Sequence, residues 1–360
     1  MEQLLRERFA ADTVVLTGSG TQALQLAITA TGAGTTPPHV ALPAYSCYDL
    51  ISAAVGSGAR VSFYDVDATT LTPNLDSLER CLSGGARALV AGYLYGYPLP
   101  WAGLRLLADH HDALLIEDAA QGLGSVGDGV PAGTAGDLTV LSFGRGKGWT
   151  GGGGGALLAR GVLRPELSKL PAGTGRTKPA VATLAAWLLG RPSLYTLPSS
   201  IPQLGLGRTV YHPPVPPRSI SMFSAALAAR THGPAFEAVA ERREQAARWA
   251  RAIHDADPLE ERVLPCRPRG GPESASWLRF ATRLAGPGPD SATWTHLRRL
   301  GVESGYPVPL PRLPETDDVR SDAHPEFPGA ESLAETLLTF PTHHWVKEED
   351  VREVVALLTA

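Results

Sequence analysis

The feature that most constrains this chain is an alternation repeated between residues 13 and 156. A short apolar run is followed by a turn of small or polar residues, and then by a segment of helical character. The runs fall at 13–17, 39–43, 60–64, 86–91, 113–116 and 138–143. Apolar runs of this length, bounded by turn residues and separated by helical segments, predict an α/β domain around a mostly parallel sheet. Ligands of such sheets bind beyond the carboxyl ends of the strands. The residues just after each run are therefore where chemistry is expected.

From about 161 to 218 the alternation dissolves into Pro- and Gly-rich sequence, broken by one apolar helix candidate near 181–189. Residues 222–255, rich in Ala, Arg and Glu, predict a long helix. After it come short strands, 277–283 among them, and helices at 292–300 and 348–358. The expected organisation is a large domain over 1–235 and a smaller C-terminal α/β domain over 236–360, with no internal repeat.

The 360 residues, 43% of them hydrophobic, suffice for a sizeable core. A formal charge of −4 argues against nucleic acid or an anionic membrane as partner, since either wants a concentrated basic surface. The charged start, 1–11, lacks the apolar core of a signal peptide, and the longest apolar stretch, about 180–190, is too short to span a bilayer. A cytoplasmic protein is expected. Cys47, Cys81 and Cys266 are odd in number and widely spaced, which fits neither a disulfide framework nor a metal site. Lysine occurs only at 147, 169, 178 and 347, so each can be weighed by itself.

Three segments carry candidate chemistry. In Leu16-Thr17-Gly18-Ser19-Gly20-Thr21-Gln22-Ala23 a strand meets a small, hydroxyl-bearing turn and a helix beginning near Thr21. Free amides and the helix dipole there favour a phosphate; the lesser alternative is that Ser19 or Thr21 is only a helix N-cap. The glycine spacing also matches a dinucleotide fingerprint, but no Asp or Glu lies between Asp12 and Asp49 to hold a ribose. In Leu114-Leu115-Ile116-Glu117-Asp118-Ala119-Ala120-Gln121 a buried strand ends in two acids. An Asp so placed can keep a pyridinium nitrogen protonated, with Gln121 near the same ring; the alternative is a pair of acids that cap the next helix. In residues 136–147 an apolar strand delivers Ser142 and then Lys147, followed by the glycine run 151–155. A lysine that loses solvent there can attack an aldehyde, whereas the plainer reading is a surface lysine in a glycine-loosened loop. Leu141 and Gly148 stand where a Walker loop needs Gly and Ser or Thr.

Taken together, the order and spacing of these segments resemble the DegT/DnrJ/StrS family of pyridoxal-phosphate aminotransferases, which have the aspartate aminotransferase fold (fold type I). Ser19 to Leu24 is similar to its S-G-T-x-A-L turn, Glu117 to Gln121 to its E-D-A-A-Q segment, and Gly136 to Gly155 to its G-D, S-F-x-x-x-K and glycine run. Tyr93-Leu94-Tyr95-Gly96, Phe327-Pro328-Gly329-Ala330-Glu331 and Leu338-Thr339-Phe340-Pro341 extend the likeness over nearly the whole chain.

The resemblance implies pyridoxal 5'-phosphate as cofactor and Lys147 as the Schiff-base lysine and proton shuttle. Asp118 would sit on the pyridine nitrogen and Gln121 near the ring hydroxyl, while Gly20, Thr21, Gln22 and Ser142 would hold the phosphate. It also implies a homodimer with shared active sites, an amino donor such as glutamate or glutamine, and a keto or aldehyde acceptor. Several positions depart from the family. The ring-stacking aromatic is Cys47, in Pro43-Ala44-Tyr45-Ser46-Cys47, so stacking is either absent or supplied by Tyr45 or Tyr48. An N-Y-R motif expected near Pro217-Arg218-Ser219 is missing, Gly153 replaces a glutamate, and Gly305-Tyr306-Pro307 replaces H-Y-P. The phosphate turn begins by residue 18, so the usual N-terminal arm is not expected. Tyr95 and Tyr306 are the candidates for the substrate side. Transamination is the leading expectation. An elimination or dehydration enzyme on the same site, or a cofactor-binding regulator or inactive partner subunit, is the alternative.

Overall fold

Seven strands of mostly Val, Leu, Ile and Ala form the central sheet, in the order β1-β9-β8-β5-β4-β2-β3. They are β1 (Thr13–Thr17), β2 (His39–Pro43), β3 (Arg60–Tyr64), β4 (Ala88–Gly92), β5 (Leu114–Asp118), β8 (Leu138–Ser142) and β9 (Gly155–Ala159). Two short strands, β6 (Val126–Gly127) and β7 (Val130–Pro131), make a separate ribbon. The computed structural model describes residues 1–32, 36–161, 169–173, 210–257, 259–321 and 326–359. The helix expected near 181–189 and Lys178 lie outside the described residues.

The pairs β2–β3, β2–β4, β4–β5 and β5–β8 are parallel, as the alternation predicts. β9 departs from it, running antiparallel between β1 and β8. Its apolar residues, Ala156 to Ala159, follow so closely on the glycine run that they read as the end of a loop. Two other expected strands shift. The run at 86–91 forms Ala88–Gly92, and the run at 113–116 forms Leu114–Asp118, because the parallel register pairs Gly92 with Asp118 and draws both acids into the ladder. Asp118 therefore ends a strand rather than capping a helix; Ala119 to Gly122 follow as a turn.

Helix Met222–His254 joins this sheet to a second one and straddles the expected boundary at 235. Ser221 caps it by accepting from the Ser224 amide, which satisfies one of the first-turn donors that a helix leaves free. Near its start the Ala228 carbonyl accepts from Trp149 Nε1 at 2.8 Å, within the first half of the chain. Near its end Trp249 Nε1 donates to the Pro341 carbonyl at 2.8 Å. The second sheet, β10-β11-β13-β12, is antiparallel throughout: β10 (Val263–Pro265), β11 (Arg279–Leu284), β12 (Glu303–Ser304) and β13 (Leu337–Pro341). Helices Ser291–Arg299, Pro328–Thr336 and Glu348–Thr359 accompany it. Trp249, Tyr97, Phe280 and Phe340 are among the largest fully buried side chains. Each such burial contributes roughly 1.5–3 kcal/mol or more, so the junction of long helix and second sheet is a true core.

Candidate active site

The carboxyl ends of β1, β5 and β8 meet over the start of helix Gly20–Thr31. Ser19 is the N-cap, with its Oγ accepting from the Gln22 amide at 3.2 Å. The helix start therefore needs Ser19 structurally; its cap takes the Gln22 amide and Gly20 lies against Gly155, where Ser19 bridges to Gly154, which leaves the Thr21 amide without a helical partner. A Cβ on Gly20 would lie 2.7 Å from Ser142 Cβ and 3.0 Å from its Oγ, and one on Gly155 would lie 2.6 Å from the Gly20 nitrogen. Only glycine lets the three backbones close up. What they leave is a cradle at the helix N-terminus, where the helix dipole and the hydroxyl-bearing residues Thr21 and Ser142 suit an anion. The Gln22 side chain turns elsewhere, its Oε1 accepting from the Gly18 and Arg218 amides, both at 3.1 Å.

The glycine run after Lys147 is not loose. Gly151 and Gly153 both donate to the Phe143 carbonyl, Phe143 donates to Gly154, and Gly154 donates to Gly18. Gly154 has φ 96°, and a Cβ there would run into Ile220. The run is a tied crossing from β8 to β9, which corrects the expectation of a loosened loop.

Side chains alternate faces along a strand, so the two acids of β5 go to different places. Glu117 is fully buried. Its carboxylate accepts from Tyr93 OH at 3.1 Å, from the amides of Gly133, Ala135 and Gly136, and from Thr139 Oγ1 at 3.0 Å. Asp118 accepts one bond, from the Ala120 amide at 3.1 Å. Burial pushes the Asp118 carboxyl above its ordinary value, opposed by the Ala120 N–H and by the Lys147 ammonium. A deep carboxylate with so few donors of its own suits a cationic ring nitrogen.

Lys147 is half-buried, and its ammonium lies close enough to lower both Asp118 and the Cys47 thiol. Burial, aided by Asp49, nevertheless leaves the Cys47 thiol pushed up to about 11. Arg242, from the long helix, donates to the Gly148 carbonyl at 3.2 Å and so ties down the residue after Lys147. Gln121 is fully engaged: its Oε1 accepts from the Tyr95 amide at 2.9 Å and its Nε2 donates to Tyr306 OH at 3.2 Å. Tyr95 holds φ 54°, a left-handed conformation uncommon for a bulky residue and often found at functional sites. Asp118, Cys47 and Tyr306 lie deep in the fold yet keep part of their surface open, as side chains lining a recess do.

Lys147, Asp118, Gln121, Cys47, Tyr95 and Tyr306 are thus brought together by hydrogen bonds and charge interactions, with Gly20 and Ser142 packed on each other at the helix start. The glycine-lined cradle, the deep carboxylate and the nearby amine fit the phosphate, ring nitrogen and aldehyde of pyridoxal phosphate. Glu117 and Arg242 escaped the sequence reading. The signal for Glu117 was a charge inside an apolar run; Arg242 sits among many arginines and gave none. Among the described residues no group of His, Cys, Asp and Glu could hold a metal ion, and no helix is long and apolar enough to cross a membrane.

Comparison with known proteins agrees with this geometry. The chain is 35% identical over 155 residues to an L-glutamine:2-deoxy-scyllo-inosose aminotransferase of Streptomyces kanamyceticus, a match covering 43% of this chain and 36% of that relative. It thus spans little more than a third of the relative's length. The crystal structure of an aminotransferase, TlmJ, from Streptoalloteichus hindustanus superimposes with a TM-score of 0.72 at 26% identity, covering 99% of this chain and 87% of that one. An E. coli GDP-4-keto-6-deoxy-D-mannose-3-dehydratase with bound hydrated PLP shares the fold, with a TM-score of 0.72 at 18% identity over 99% of this chain and 90% of that one. The family model itself matches residues 1–163 and 219–359, and by that match the chain belongs to the DegT/DnrJ/EryC1/StrS aminotransferase family.

Proposed function

We propose that the chain is a pyridoxal 5'-phosphate-dependent aminotransferase that moves an amino group from an amino-acid donor to a keto or aldehyde acceptor. The observation that carries this reading is the meeting of Lys147, Asp118 and the Gly20–Ser142 cradle at the carboxyl ends of three strands. When bound, pyridoxal phosphate supplies an electron sink for the charge left at the donor's α-carbon. Lys147 would hold the aldehyde carbon, and its amine, when free, would move the proton at that α-carbon. Asp118 would keep the ring nitrogen protonated. The helix start at Gly20, Thr21 and Gln22 and the Ser142 hydroxyl would hold the phosphate, Cys47, Gln121 and Tyr306 would border the ring, and Tyr95 would face the substrate.

The acceptor we propose is a keto sugar or a related cyclic ketone, in line with the cyclic ketone that the Streptomyces relative's name pairs with L-glutamine. Residues 1–235 form the cofactor-binding domain and 236–360 the small one. The working enzyme is a cytoplasmic homodimer; the apolar side chains of Val210, Val215 and Met222, all more than half exposed, support the self-association.

Incubation of the cofactor-loaded protein with glutamate or glutamine alone tests the reading. An aminotransferase releases one equivalent of keto acid per site and stops until an acceptor is added. The dehydratase neighbour favours one other reading on the same fold, elimination; that enzyme would form product from a hydroxylated substrate with no keto acceptor consumed. A regulator would release nothing.

A further inference from the structure

Position 47 holds a thiol where the segment resembles one that ends in a ring, and the two neighbouring phenols are committed elsewhere. Tyr45 OH accepts from the Tyr306 amide at 2.8 Å and Tyr48 OH from the Val308 amide at 3.1 Å. Both rings therefore act as brackets for segment 306–308. What they hold in place is the Tyr306 ring, whose centroid lies 5.6 Å from Tyr45, 6.2 Å from Tyr48 and 6.3 Å from Tyr95, within 20° of the Tyr95 plane. Tyr306 OH also meets Gln121 Nε2 at 3.2 Å. The placement is tight: a Cβ on Gly305 would run into Tyr45 OH and come within 2.8 Å of Leu337 Cδ2.

Tyr45 and Tyr48 flank Cys47 in sequence, so the Tyr306 ring that packs on both is held beside position 47. The Cys47 thiol is near enough to Tyr306, Tyr95 and Tyr48, and to Lys147 and Asp118, for their charges to interact. We propose that the aromatic cover of the cofactor ring comes from Tyr306, delivered by the C-terminal half of the chain, and that Cys47 is the small residue that makes room for it. Retention of the cofactor then depends on segment 305–308 being seated on Tyr45 and Tyr48. This inference rests on the pyridoxal-phosphate reading above.

The test is titration of cofactor-free protein with pyridoxal 5'-phosphate, followed by quenching of tryptophan fluorescence. Tyr306→Ala and Tyr306→Leu are both expected to weaken binding roughly tenfold, the scale of one lost aromatic contact with its burial. Tyr306→Phe should stay within about twofold of wild type, since the ring and not the hydroxyl is at issue. Cys47→Phe alone should bind worse through crowding, and Cys47→Phe with Tyr306→Ala should regain most of what Tyr306→Ala loses. The leucine variant keeps apolar bulk, so misfolding of the alanine variant leaves the question decidable. Wild-type affinity in Tyr306→Leu, equal losses in the phenylalanine and leucine variants, or additive losses in the double variant would each overturn the proposal. Failure of the cofactor reading itself looks different: wild type would then show no Lys147-dependent binding at all.

Discussion

Glu117 and Asp118 are adjacent in β5, yet one carboxylate accepts from five donors and the other from one. The alternation of a strand sends the first into a sealed pocket that knits β5, β8 and the turn at 133–136, and the second into the recess beside Lys147. A single strand end thus carries an anchor and a free acid. The energetic consequences of removing each charge are opposite.

Glu117→Gln places amide hydrogens against groups that themselves donate. The variant should lose roughly 1–3 kcal/mol of stability, more if the pocket cannot rearrange. Chemical denaturation of the cofactor-free protein checks this, and an unchanged midpoint would contradict it.

Asp118→Asn should do the reverse. A carboxyl whose folded pKa is raised stabilises the fold only below its unfolded value, near 3.9, and that contribution is lost as pH rises through the folded pKa. At pH 7 the charged Asp118 therefore weighs against the cofactor-free fold. Asp118→Asn should melt higher than wild type at pH 7, with the gap closing as pH approaches 4, while cofactor affinity falls. Calorimetry at both pH values gives the comparison.

Much of this was readable in the sequence. β1, β2 and β3 stand where their apolar runs lie because small or polar turn residues bound them. β5 extends two residues beyond the end of its apolar run because ladder register outranks polarity when Glu117 finds buried donors. β9 hid behind the glycines that it needs in order to pack on Gly20. The cradle, acid and lysine each lie within a few residues of a strand end, which is local information. The tyrosine cage joins positions 45, 48, 95 and 306 and is set by tertiary packing, so no sequence window contains it.

Gly20→Ala inserts a carbon 2.7 Å from Ser142 Cβ, inside ordinary contact distance. Overpacking of this kind costs about 1–3 kcal/mol and falls where the phosphate would sit. Affinity for pyridoxal phosphate should drop by roughly tenfold or more, with a smaller loss for the phosphate-free pyridoxal. Equal losses for the two ligands would place the phosphate elsewhere.

Cys47 should be the thiol that reports on the recess, since Cys81 and Cys266 are buried and Cys47 is partly open. With its thiol pushed up to about 11, alkylation of the cofactor-free protein should still be accelerating at pH 10, where an ordinary thiol has levelled off. Pyridoxal phosphate should suppress the reaction. Alkylation by iodoacetamide, read as mass on the peptide containing Cys47, decides it; a rate that levels off by pH 9, or one indifferent to the cofactor, would contradict this placement.

The central claim is that Lys147 carries the cofactor. The chain has four lysines, at 147, 169, 178 and 347, so the claim is open to one measurement: incubate with pyridoxal 5'-phosphate, reduce with borohydride, digest, and locate the pyridoxyl group by mass spectrometry. The account predicts stoichiometric label on Lys147, abolished in Lys147→Ala and by prior incubation with an amino donor. Label on Lys169, Lys178 or Lys347 instead, or spread over all four, would contradict it.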